Sequence, residues 1–164
     1  LFALEIETGK TIPLVRSEAD DNGGGVSPDG KWFLFESNMS GTEEVYVIPF
    51  PPGWEQERAQ GLPVPRADAQ WRVSIAGGTL PCWNPSGGEL FYVSLSGSLI
   101  AAKVATRDAE FVNDVGTALF EARVESGTSL DVSKDGQNFA INSAPDQEAT
   151  SISVLTNWHS LLHD

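Results

Sequence analysis

The segment Val26-Ser27-Pro28-Asp29-Gly30-Lys31-Trp32-Phe33-Leu34-Phe35-Glu36-Ser37 has two further variants in this 164-residue chain, each aligning with it without a gap. They are Trp83-Asn84-Pro85-Ser86-Gly87-Gly88-Glu89-Leu90-Phe91-Tyr92-Val93-Ser94 and Val132-Ser133-Lys134-Asp135-Gly136-Gln137-Asn138-Phe139-Ala140-Ile141-Asn142-Ser143. In the first copy Pro28 presets φ for a turn, Asp29 offers its carboxylate to the local backbone, and Gly30 accepts a positive φ. Those three residues predict a tight reversal. The apolar run Trp32 to Phe35 behind it is too short for a helix and rich in aromatics, as expected of a strand covered on both faces. Leu90 to Val93 and Phe139 to Ile141 repeat the pattern.

Each run is followed by a small polar turn and another strand: Glu44 to Ile48, Leu99 to Ala102, and Ile152 to Leu155. Short strands separated by Gly, Ser and Asn turns predict antiparallel meanders. The chain opens with Leu1 to Ile6, a turn at Glu7-Thr8-Gly9-Lys10, and Thr11 to Val15, which reads as the back half of such a unit. From Gly30 to Gly87 is 57 residues and from Gly87 to Gly136 is 49, close to the roughly 40 to 50 of a four-stranded propeller blade. The first interval is longer because residues 51–70 hold four prolines. They predict an excursion between the third and fourth strands, with Trp71 to Ile75 resuming the sheet.

The fold class expected is all-β, a β-propeller fragment of roughly three to four blades with four antiparallel strands in a complete blade. Residues 1–22 make the back half of a blade, 23–75 a blade with its insertion at 51–70, 76–122 a further blade, and 123–164 a final incomplete blade with a C-terminal tail, all in one propeller domain. An antiparallel sandwich also has short, regularly spaced strands. Its strands occupy non-equivalent places, however, and have no reason to share a twelve-position pattern, whereas radial blades do.

Ser27-Pro28-Asp29-Gly30 followed by an aromatic strand and a Ser resembles the WD40-like, TolB-type "PD40" propeller repeat. The second copy departs from it at Asn84 and Ser86, and the third at Lys134. A wider set of residues is similar to the C-terminal propeller of many bacterial Ser/Thr protein kinases. It comprises Trp71-Arg72-Val73-Ser74, Gly77-Gly78-Thr79, Pro81-Cys82-Trp83, Glu89 to Ser94, Ala118-Leu119-Phe120-Glu121, Asp131-Val132-Ser133 and Val154-Leu155-Thr156-Asn157-Trp158. That resemblance implies an extracytoplasmic binding or sensing domain preceded by a kinase domain and a membrane helix. The kinase motifs themselves are absent from this sequence. A chain that begins Leu1-Phe2 without a Met, inside an expected strand, reads as part of a longer protein. Its open blade edges make self-association an expectation.

The formal net charge is −13, which opposes binding to nucleic acid or to an anionic membrane surface. No stretch approaches the roughly 18 apolar residues of a membrane-spanning helix. With Cys82 as the only cysteine, there is neither an internal disulfide nor a thiolate-rich metal site, and Cys82 reads as a small core residue. Both histidines, His159 and His163, lie in the last six residues, and a terminal pair without a third ligand reads as a tail. There is no Gly-x-Ser-x-Gly elbow. The chain is expected to be non-catalytic and to need no cofactor or metal.

What remains is binding. Glu18-Ala19-Asp20-Asp21-Asn22-Gly23-Gly24-Gly25 lacks the ligand spacing of a calcium loop and reads as a connection between blades. Glu43 and Glu44, with Asn38, are expected between the second and third strands, at the same propeller face. Asp20, Asp21, Asn22, Asn38 and Glu43 are therefore the candidate binding residues, for a protein or small-molecule ligand. Trp54 and Trp71 flank the proline-rich excursion, where burial is expected ahead of an exposed aromatic contact. An accessory propeller of a peptidase of the prolyl-oligopeptidase or tricorn kind, and a TolB-like envelope scaffold, are the alternative settings.

Overall fold

A computed structural model describes residues 1–122, 124, 129–142 and 153–155. Their strands form four antiparallel sheets met in chain order. The first pairs β1 (Phe2–Leu4) with β2 (Thr11–Pro13). The second runs β3 (Asp21–Val26), β4 (Trp32–Ser37), β5 (Glu44–Pro49), β6 (Trp71–Arg72), each strand beside its successor. The third runs β7 (Thr79–Trp83), β8 (Glu89–Val93), β9 (Ser98–Arg107), and the long β9 pairs β10 (Glu110–Asn113) along its second half and β11 (Thr117–Glu121) along its first. The fourth holds β12 (Leu130–Val132), β13 (Phe139–Ile141) and β14 (Ser153–Leu155). This is a succession of up-and-down blades, the partial propeller that the repeat predicts.

Strand periodicity explains how the blades hold together. Side chains alternate across a strand, so Leu34 of β4 enters the core between the second and third sheets, while Phe33 and Phe35 face the core shared with the first sheet. On β8, Leu90 and Tyr92 join the former core, and Phe91 and Val93 join a third one with Val132, Phe139 and Ile141. The runs of β4 and β8 thus each serve two interfaces, which is why they are continuous, whereas on β13 Phe139 and Ile141 enter one core and Ala140 between them is exposed, so the expected cover on both faces is not found there.

The repeated turn is the same object in the first and third copies. Gly30 N–H donates to the Ser27 carbonyl at 2.8 Å, the Ser27 hydroxyl donates to Asp29 and accepts from Trp32 N–H at 2.9 Å, and Gly30 has φ +75°. Gly136, Ser133, Asp135 and Asn138 N–H repeat these bonds, so Lys134 in place of proline leaves the turn intact. In the second copy Asn84 Oδ1 accepts from Ser86 N–H at 3.0 Å, an Asx turn doing the work of the serine.

The excursion lies between β5 and β6 and is folded back on the first turn. Its 3-10 turn Pro51–Trp54 leads into α1 (Glu55–Ala59), and the Trp54 indole donates to the Lys31 carbonyl at 2.8 Å. Lys31 Nζ sits 4.7 Å from the Trp54 ring and 2.6 Å from Glu57. Of the aromatics flanking the excursion, Trp54 is 3% exposed and Trp71 is half-buried against Trp32. One strand was not foreseen. Asp108 and Ala109 both take positive φ, +49° and +64°, and close a hairpin that sends β10 back along β9. It delivers Phe111 into the aromatic core.

Candidate ligand face

Asp20 and Asn38 meet. Asp20 N–H donates to Asn38 Oδ1 at 3.0 Å, and Asn38 Nδ2 donates to Asp20 Oδ2 at 3.2 Å, which joins the β2–β3 connection to the β4–β5 loop. Asp21 and Asn22 do not lie in the connecting loop expected for them. They open β3, opposite Ser37 and Glu36, because pairing with β4 overrides the weak strand preference of Asp, Asn and Gly. Glu44 likewise belongs to β5, where it is buried, accepts from the Ser74 hydroxyl and from Gly77 N–H at 3.1 Å, and has Arg72 at 3.8 Å. It anchors the crossing to the next blade rather than facing a ligand.

Glu43 holds the loop to that crossing through its carbonyl, which accepts from Gly78 N–H at 2.8 Å. Its carboxyl is raised above the ordinary value of 4.5, first by burial and then by the charges of Glu36 and Asp20. Glu43 Oε2 and Asp21 Oδ1 are shielded from solvent without a hydrogen-bond partner among the described residues. The ion pairs among those residues are Lys31–Glu57, Arg66–Asp68 and Arg72–Glu44, so none neutralises Asp20, Glu36 or Glu43.

The residue that composition and spacing did not single out is Glu36. It stands on β4 opposite Asn22 of β3, and its Oε2 accepts from Leu80 N–H at 2.7 Å on β7. Leu80 has φ +53°, a strained conformation for a branched side chain, and the carboxylate holds it there. A cavity of about 680 Å³ opens along this wall. It is lined by the first strands of three successive blades: Gly23 to Val26 on β3, Leu80 to Trp83 on β7, and Leu130 and Asp131 on β12. Glu36 and Asp131 make it acidic, and it adjoins the Asp20 and Glu43 rim.

An acid whose pKa is higher folded than unfolded holds its proton more tightly in the folded state, so its ionisation destabilises the fold above the raised pKa and costs nothing below the unfolded value. Replacing Glu43 by Gln is therefore expected to raise Tm near pH 7 and to leave it unchanged near pH 4. Thermal scans at the two pH values check this, and an equal shift at both would contradict it.

Cys82 lines the same wall, but burial, with a smaller contribution from Asp131, pushes its thiol up to about 12. It is expected to react with a disulfide reagent on the order of a thousandfold more slowly in the folded chain than in urea. Labelling followed by mass checks it. Among the described residues no group of three or more His, Cys, Asp or Glu side chains is placed to hold a metal, and no helix is long and apolar enough to cross a membrane. His159 and His163 lie outside the described residues.

No protein-family model matches the chain, and no curated protein matches it in sequence. Solved structures do match in fold. TolB from Acinetobacter baumannii superposes with a TM-score of 0.62 at 15% identity, over 94% of this chain and 34% of that one. A structure from a study of two prolyl endopeptidases gives a TM-score of 0.55 at 18% identity, over 92% and 23%. Oligogalacturonate lyase from Vibrio parahaemolyticus gives 0.50 at 11%, over 90% and 38%. The chain spans about a third of TolB's length, and the likeness is one of fold: a partial β-propeller of the TolB type.

Proposed function

We propose that this chain is a non-catalytic recognition module that takes a basic segment of a partner protein against the acidic wall formed by β3, β7 and β12 and its rim. The observation that carries the reading is the group Asp20, Glu36 and Glu43, in which burial first and then the charges of Glu36 and Asp20 raise the pKa of Glu43, and which is left without a cation among the described residues. Like charges gathered in this way destabilise the free protein, and a cationic ligand removes the penalty. The sequence resemblance favours a setting at the C-terminal end of a bacterial Ser/Thr kinase, outside the cytoplasm. The fold likeness to prolyl endopeptidases supports a second setting, an accessory propeller beside a hydrolase domain.

Calorimetric titration with a hexalysine peptide at low salt tests the reading. Saturable binding is expected, weakened at least about fivefold in the Glu36→Gln, Glu43→Gln double variant and lost with added salt. Gln can still accept from Leu80 N–H, so the wall keeps its shape. Absence of binding, or binding indifferent to the double variant, would refute it.

A further inference from the structure

A second cavity, of about 450 Å³, lies between the β3–β4 turn and the β7–β8 turn. These turns join first to second strands, at the end of the blades opposite the rim of Asp20, Asn38 and Glu43. Trp83 is its partly exposed aromatic wall, and the buried rings of Trp32 and Phe111 back it, the latter centred 6.3 Å from Trp83 at 78°. Pro28, Val104 and Ala105 supply aliphatic surface, and Gly87 and Gly88 leave the space above their backbone open. Among the described residues, the one charged residue lining the cavity is Asp29.

The hydrogen-bond inventory decides what such a slot can hold. The Trp83 indole N–H donates to the Gly25 carbonyl at 2.9 Å and the Trp32 N–H to Thr106 Oγ1 at 2.9 Å. The Ser27 hydroxyl donates to Asp29, and the Ser86 hydroxyl to the Lys134 carbonyl at 3.2 Å. These donors are engaged, and what else lines the cavity is aromatic rings, aliphatic surface and the Asp29 side chain. An anion would find repulsion from Asp29, whose Oδ1 is held by the Ser27 hydroxyl and the Lys31 N–H, and a neutral chain would gain nothing from that charge. A cationic head on an aliphatic stem matches each part of the lining: the stem along Pro28 and Val104, the head over an indole, which is the strongest of the aromatic partners for a cation, with Asp29 beside it. The chain uses this chemistry internally, where Lys31 lies over Trp54 and pairs with Glu57.

We propose that this inter-blade slot binds an alkylammonium group, the side-chain terminus of a lysine or of a methylated lysine. The slot shares Pro28 and Trp83 with the acidic wall but takes its charge from Asp29, and variants at Glu36 and Glu43, which do not line it, are expected to leave it unchanged. The test follows the indole N–H resonances of the ¹⁵N-labelled chain by NMR while N-acetyl-lysine methylamide, its trimethylated form, or the neutral N-acetyl-norleucine methylamide is added. Saturable shifts with the two ammonium ligands and none with norleucine are expected, and Asp29→Asn is expected to weaken binding about fivefold, the scale of an exposed ion pair. Asn can still accept the bonds from Ser27 and Lys31, so the turn persists. Tighter binding of the trimethylated ligand assigns the slot to methylated lysine, and tighter binding of the free amine assigns it to lysine itself. No saturable shift with either ammonium ligand, equal binding of norleucine, or no effect of Asp29→Asn would overturn the proposal.

Discussion

Trp32→Ala is expected to lower the stability of the chain by about 4 kcal/mol, within the range for emptying a large aromatic from a core. Trp32 is 3% exposed and meets Trp54, Trp71 and Phe111 edge-on at 5.2, 5.4 and 5.4 Å. Those partners come from the excursion, from β6 and from the β10 hairpin of the next blade, so one side chain holds three separate pieces of chain in place. Its indole also donates to Thr106 across the blade boundary. Since a domain of this size is stable by only about 5–15 kcal/mol, the variant should be substantially unfolded at moderate urea where the parent is not. Urea titration followed by far-UV circular dichroism measures it. A loss under about 1 kcal/mol would mean that the cavity collapses and that the cluster is not the hub described.

Gly24→Ala is expected to be nearly as damaging, although it adds a single methyl group. Gly24 sits at φ +96° in the bulge of β3, and a Cβ there would lie 1.7 Å from the Leu34 carbonyl oxygen and 2.9 Å from Phe35 Cα. Backbone is what it meets, so no rotamer change relieves the clash. The strand must part from β4 or the bulge must unwind, for a cost of about 3 kcal/mol or more. Gly30→Ala is the control: its φ is +75°, but a Cβ would have nothing within 4 Å, so about 1 kcal/mol of backbone strain is expected. Equal losses in the two variants would show that conformation, and not the approach of β4, sets the cost. Because Gly23 to Gly25 line the acidic cavity, Gly24→Ala should also distort the wall on which Glu36 holds Leu80.

The Glu43 prediction connects stability with the proposed role. Neutralising that carboxyl is expected to strengthen the fold near neutral pH and to weaken the hold on a basic ligand, since the same unpaired charge serves one purpose and harms the other.

Local chemistry made the blades legible. Ser27-Pro28-Asp29-Gly30 contains its own turn, with the serine and aspartate bonded to backbone within five residues, so neither needs a tertiary partner to act. The uninterrupted apolar runs of β4 and β8 announced strands covered on both faces, and alternate residues do enter separate cores. The face where Asp20 and Asn38 meet followed from the order of strands in a blade.

Contacts between residues far apart in sequence decided the rest. The β10 hairpin turns on Asp108-Ala109, a pair that carries no glycine signal, and its purchase on the fold is Phe111 against Trp32. Asp21 and Asn22 became strand residues because β4 pairs with them. Gly24 looks like a flexible loop residue until Leu34 is placed against it. Glu36 reads as the polar end of a strand, and only the approach of Leu80, 44 residues away, makes it the carboxylate that shapes the inner wall. Turn and strand preferences act over a few neighbours and can be read along the chain, whereas burial, close backbone approach and the gathering of like charges depend on which blades stand side by side.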